Sequence, residues 1–192
     1  MDRKYQIIYA DPPWKYGSKS AVNNSTGSKI VPLSEHYNSM TTEDIKNLRV
    51  ADITKDDSVC FLWATDSHLK EGIEVLEAWG FKYKTVAFNW IKKTSKGNNC
   101  VNVAPWTLKS SELCLFGTKG RMTKYKKSNS VMQLVEAERT KHSKKPEEVR
   151  KRIIDLFGDI PRIELFAREK TDGWDVWGNE VESDIKITKE YE

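Results

Sequence analysis

The sequence predicts an α/β protein, a single sheet with helices on both faces. Three observations carry that expectation. Short apolar runs of strand length alternate with amphipathic segments of helical period, which is the order that builds βαβ units. The chain has 192 residues and no internal repeat, enough for one domain that buries roughly 70% of its unfolded surface. Its 7 Trp, 7 Tyr and 6 Phe provide core material despite a polar composition.

The first element is the apolar run at residues 6–10, a buried strand broken by Pro12 and Pro13. Residues 15–40 are rich in Ser, Asn, Gly and Lys without a period, and read as a long functional loop. Thr41 is placed to cap a short helix that reaches about Leu48, with Glu43 and Asp44 in its first turn. Residues 58–64 read as a second buried strand. A helix follows over 68–79, with Leu69, Ile73, Leu76 and Trp79 on one face and Gly80 at its end. Residues 83–91 and 112–117 read as a strand pair joined by a polar, basic excursion, and 119–129 as another basic loop. Pro146 opens a helix that Gly158 closes, with Pro146 in its first turn. Residues 162–167 and 173–178 complete the strands. Residues 181–192 form a charged tail, either a last strand or frayed.

Charge is unevenly spread. Residues 92–152 hold 16 Lys/Arg against 5 Asp/Glu, whereas the rest of the chain holds 16 against 23. A basic middle flanked by acidic ends suggests a polyanionic partner, and Trp90, Trp106 and Tyr125 among the lysines suggest nucleic acid, whose bases stack on such rings. The loops at 92–130 are therefore expected to meet substrate, with Lys124, Lys126 and Lys127 on its phosphates. Cys60, Cys100 and Cys114 are odd in number and far apart, which disfavours disulfides and structural zinc; no metal site is expected. No apolar run approaches membrane-spanning length and residues 1–14 lack a signal-peptide layout, so the expected setting is cytoplasmic. His36 and His68 read as surface residues, and Trp63, Trp79, Trp177 and Cys114 as core.

Asp11-Pro12-Pro13-Trp14 is the most informative segment. It sits at the carboxyl end of the first strand, where open α/β sheets bind ligands. Two prolines fix the backbone and remove two donors, Asp11 adds a carboxylate acceptor, and Trp14 adds a flat π surface. That set suits the exocyclic amine of a flat heterocycle such as adenine or cytosine.

Tyr9-Ala10-Asp11-Pro12-Pro13-Trp14 resembles the signature of the MT-A70 family of S-adenosylmethionine-dependent adenine-N6 methyltransferases. Six further segments follow in the family's order: Phe61-Leu62-Trp63, Trp79-Gly80, Glu112 to Gly120, His142 to Pro146, Ile163 to Arg168, and Trp177-Gly178-Asn179. They cover roughly residues 5 to 180.

The resemblance implies a Rossmann-like class I methyltransferase sheet in permuted order, with the catalytic strand first and the cofactor strand near the end. It implies that Asp11, Pro12, Pro13 and Trp14 act on the target amine. Independently of the resemblance, the rings of Trp14 and of Tyr37 in the following loop are expected to stack on the base. The resemblance also implies that Asp11, Lys145, Glu164, Phe166, Arg168, Asn179 and Glu180 contact S-adenosylmethionine: Lys145 its carboxylate, Glu164 and Arg168 its ribose, Asn179 and Glu180 its adenine. His142 falls in one of the matching segments. Three departures stand out: no G-x-G lies near Phe166, residues 169–172 differ from the messenger-RNA writers, and Glu180 replaces a common Gln. The expected function is methylation of adenine N6 in DNA, on a flipped base. The same reaction on RNA, cytosine-N4 methylation and a silent nucleic-acid-binding subunit are the alternatives, and a homo- or heterodimer is open.

Overall fold

The computed structural model describes residues 3–15, 39–104, 106–140 and 144–188. The strands are β1 (Tyr5–Ala10), β2 (Thr54–Ala64), β3 (Lys82–Lys93), β4 (Ser111–Lys119), β5 (Leu134–Glu138), β6 (Arg162–Leu165) and β7 (Asp175–Trp177). The helices are α1 (Thr42–Lys46), α2 (Leu69–Ala78) and α3 (Glu147–Phe157). All seven strands join one mixed sheet in the order β5-β3-β4-β2-β1-β6-β7. β4 pairs antiparallel with both neighbours, and every other pairing is parallel. The carboxyl ends of β1, β2, β3, β5, β6 and β7 therefore share one edge of the sheet with the start of β4.

Every residue of β1 is buried, because its side chains alternate between two cores. Ile8 and Ala10 join Cys60, Leu62, Ile163 and Leu165 against Val75, Leu76 and Trp79 around α2. Ile7 and Tyr9 join Val59, Phe61, Trp63 and Cys114 against Val149, Ile153 and Phe157 of α3. Gly72 lets α2 lie close to the sheet, since a Cβ there would meet Leu115 at 2.9 Å and Ala64 at 3.1 Å. A buried side chain such as Leu76 or Ile153 adds roughly 1.5–3 kcal/mol by leaving water.

Helix ends follow their sequence signals with small displacements. Thr41 accepts from the Asp44 N–H at 3.1 Å, and α1 stops at Lys46 rather than Leu48. Pro146 occupies the N-cap of α3 rather than its first turn, with ψ at 133°. Two readings need correction. β5 was not foreseen; its sequence LVEAE is that of a sheet edge, with one face in water. Residues 181–188 are neither strand nor frayed end. Asp184 exchanges bonds with Val176 on β7, Ile185 and Ile187 pack on the α2 core, and the Arg49 N–H reaches the Thr188 carbonyl at 3.1 Å. No described helix is long and apolar enough to cross a membrane.

Candidate active site at the carboxyl edge of the sheet

Asp11 leaves the end of β1, and its N–H reaches the Leu165 carbonyl of β6 at 3.4 Å. Its carboxylate accepts from the Lys145 ammonium at 2.6 Å. Lys145 comes from the segment just before α3, lies over the Trp63 ring at 5.4 Å, and has a side chain only 7% exposed. A second carboxylate, Glu112 at the start of β4, stands 3.4 Å from the same ammonium and also pairs with Lys92 of β3. Burial pushes the Asp11 carboxyl above its ordinary range, and the pull of Lys145 only partly offsets it. Burial works on Glu112 in the same direction, but two lysines overcome it and hold that carboxyl below its usual value. Burial also opposes the charge on Lys145, yet its two acidic neighbours leave the ammonium more firmly protonated than usual. Glu112 and Lys92 were not foreseen as site residues. Only the cross-strand register, which sets Trp90 opposite Glu112, brings them to Asp11.

The prolines shape the exit from β1. The Pro12 carbonyl accepts from the Trp14 N–H at 2.9 Å and the Pro13 carbonyl from the Met40 N–H at 2.8 Å. Trp14 corrects an expectation. Its ring is core rather than an open stacking platform, 7% exposed, with Nε1 donating to the Trp63 carbonyl at 3.0 Å and one face stacked on His68. His68, read as a surface residue, is buried beneath it. Tyr37, His36 and His142 lie outside the described residues.

The turns after β6 and β7 meet at the same edge. Phe166 adopts φ 63°, a left-handed backbone rare for a bulky residue, and sets its ring edge-on to Trp177 at 5.4 Å. Gly178 allows the two turns to touch, since a Cβ there would lie 2.1 Å from the Ala167 carbonyl oxygen. Arg168 follows one turn, Asn179 and Glu180 the other, and the Arg168 guanidinium lies 3.6 Å from Glu180. Glu164 differs from expectation. Paired with Tyr9 in register, it faces α3, and both its oxygens accept from Arg150 at 2.8 and 2.9 Å. It is clamped rather than turned toward a ligand.

The two basic loops part company. The 94–110 excursion joins the end of β3 to the start of β4 and so stays at the Asp11 edge, with Trp106 95% exposed. Lys124, Lys126 and Lys127 follow the end of β4, at the opposite edge. Lys124 pairs there with Asp57, beside the Tyr125 ring, and the Lys127 N–H reaches the Leu156 carbonyl at the far end of α3. Sequence grouped these lysines with the site, and the antiparallel course of β4 carries them away from it. Trp90, grouped with the stacking rings, is buried core.

An Asp-Pro-Pro-Trp exit from a central strand, a buried lysine on its carboxylate and two polar turns beside it define the edge. The MT-A70 family model matches residues 5–180, and the chain belongs to that family. It is 38% identical over 189 residues to the type II methyltransferase M.MunI from Mycoplasma sp, covering 93% of this chain and 78% of that protein. It is 26% identical over 184 residues to the N(6)-adenosine-methyltransferase catalytic subunit METTL3 of Homo sapiens, covering 93% of this chain and 28% of that one. The MT-A70-like N(6)-adenosine-methyltransferase of Arabidopsis thaliana is 26% identical over 182 residues, 92% of this chain and 24% of its own. The chain thus spans about a quarter of each of these two eukaryotic relatives.

Proposed function

We propose that this chain transfers a methyl group from S-adenosylmethionine to the N6 amine of adenine in DNA. The single observation that carries the reading is the Asp11–Lys145 pair, 2.6 Å apart and largely buried at the carboxyl edge of a sheet whose family is MT-A70. What favours DNA over RNA is identity: 38% to the type II methyltransferase against 26% to the N(6)-adenosine-methyltransferases. The sheet is read as a class I methyltransferase sheet in permuted order, helices covering both faces. The separate cores under α2 and α3 support that reading. One domain spans residues 1–192, with 15–40 and 92–110 meeting substrate. The partner is nucleic acid, the setting cytoplasmic, and a dimer is compatible with it.

The residues at this edge fit the cofactor by their chemistry. Lys145 offers a buried ammonium to a carboxylate, Phe166 an apolar wall, and Arg168, Asn179 and Glu180 polar groups for ribose and adenine. When bound, the cofactor supplies an electrophilic methyl group, and the hard chemistry is its own. The chain's own groups then do the rest. Asp11 and the Pro12 carbonyl, whose oxygen can accept a second bond, accept the two amine hydrogens, which favours the electron-rich, pyramidal nitrogen. Holding that nitrogen in line supplies about 7–11 kcal/mol, more than an acid–base contribution usually does. An N–C bond would form as the sulfonium's S–C bond breaks, leaving a neutral thioether and one surplus amine proton, which Asp11, with its raised affinity for protons, would be placed to take or pass to water. An adenine in a duplex must be flipped to reach this edge.

Nucleoside mass spectrometry after incubation with isotope-labelled S-adenosylmethionine and either DNA or RNA tests the reading. Labelled N6-methyladenine in the DNA digest is expected. Label in RNA alone, or as N4-methylcytosine, would overturn the substrate assignment, and no label at all would overturn the activity.

A further inference from the structure

Four charges form a chain across the carboxyl edge: Asp11, Lys145, Glu112 and Lys92. Glu112 divides its oxygens, Oε1 to the Lys92 ammonium and Oε2 to the Lys145 ammonium at 3.4 Å. The side chains are 23%, 7%, 20% and 12% exposed in that order, so water screens none of them well. Each ammonium also lies over an indole, Lys145 over Trp63 and Lys92 over Trp90 at 5.2 Å, and the two rings meet edge to face. Two acids and two bases balance. A bare Asp11–Lys145 pair would lock each group to the other, leaving neither free for a ligand. A second carboxylate on the far side of the ammonium changes that. Lys145 can then release Asp11 without becoming an uncompensated buried cation, a strongly disfavoured state.

We infer that Glu112 is a positioning residue of this site, holding the Lys145 ammonium between itself and Asp11 while Lys92 balances its charge. The inference rests on the reading of Asp11 and Lys145 as the working pair. It deepens that reading by naming a pair that adjusts the charge on Asp11. Among the described residues, the groups that act on Asp11 are Lys145 before α3, Glu112 and the neutral Cys114 thiol on β4, Glu164 on β6 with its Arg150 partner, and Arg168 after β6. Glu112 opposes ionisation of Asp11 in two ways, by its own charge and by sharing Lys145. Lys92 counters both.

The test is the titration of the Asp11 carboxyl followed by carbon-13 NMR in the full chain without methyl donor or nucleic acid, its signal assigned with Asp11→Asn. Glu112→Gln should lower the Asp11 midpoint by about 0.5 pH unit or more, and Lys92→Met should raise it by a similar amount. Opposite signs from two substitutions in one ion pair are not what a merely structural role yields. Unmoved midpoints, or a shift in the same direction in both variants, would overturn the proposal. If Glu112→Gln fails to fold, the sign given by Lys92→Met decides. If neither folds, the pair belongs to stability and the proposal falls. Because no methyl donor is present, a failure here leaves the methyltransferase reading standing, and a wild type that methylates nothing leaves the titration readable.

Discussion

The two edges of the sheet carry the same kinds of side chain in opposite circumstances. At the carboxyl edge Lys145 meets Asp11 at 2.6 Å with 7% of its side chain exposed; at the amino edge Lys124 meets Asp57 at 2.5 Å with 56% exposed. The short distances are alike and their meaning is not. Where water is excluded, a charge cannot lose its partner cheaply, and a ligand that competes for the ammonium is strongly felt. Where water is present, an ion pair is screened and its loss is nearly silent. We place the proposed chemistry at the first edge because the β1 exit, the 94–110 excursion, the start of β4, the segment before α3 and the turns after β6 and β7 all converge on it. The second edge gathers more exposed pairs, Lys124 with Asp57 and Arg3 with Asp175 among them.

Substitutions can break this contrast or sharpen it. The largest effect is expected from Asp11→Ala, at least ~100-fold lower methyl transfer with an unchanged circular-dichroism spectrum, because on the proposed mechanism it removes an acceptor of the amine hydrogens. Recovery of more than about a tenth of wild-type turnover would end the assignment. Arg150→Met strips Glu164 of both its hydrogen bonds and leaves a buried carboxylate unpaired; a loss of about 3 kcal/mol in urea unfolding is expected. A change within error would mean that Glu164 is free to serve a ligand after all.

Acidity gives a subtler reading of the same contrast. Burial disfavours the ionised form of Asp11, so the proton returns as pH falls at a value above the ordinary 3.8. Methyl transfer that needs the carboxylate therefore falls away on the acid side before an unperturbed aspartate would titrate, and a kcat/KM profile flat down to pH 4 would contradict this. Asp57 shifts the other way, lowered by the Arg121 N–H and Lys124, and contributes nothing to that limb. The smallest effect is expected from Lys124, Lys126 and Lys127 changed together to Ser, less than about a twofold change in nucleic-acid affinity. A tenfold loss would move the substrate to the amino edge.

Much of this was legible in the sequence, and the reasons the rest was not are physical. Asp11 follows an apolar run and precedes two prolines, local features that need no tertiary knowledge, and the resemblance that singled out Lys145 runs nearly the length of the chain. Strand direction is not a local property. The segments around Lys96 and Lys124 look alike in composition, and only the antiparallel pairing of β4 sends them to opposite edges. Glu112 and Lys92 are 20 residues apart and meet through register, so spacing could not reveal them. Trp14 and Trp106 show the same limit for burial: the indole beside the signature is core, and the one in the basic excursion is in water.

The central claim is that the carboxyl edge holds the methyl donor. A crystal structure of the chain with S-adenosylhomocysteine tests it most directly. The account places the density beside Lys145, Phe166 and Arg168, with the amino-acid end toward Asp11. Density at the amino edge, in the cleft lined by Arg3, Tyr5, Arg162 and Asp175, would contradict it.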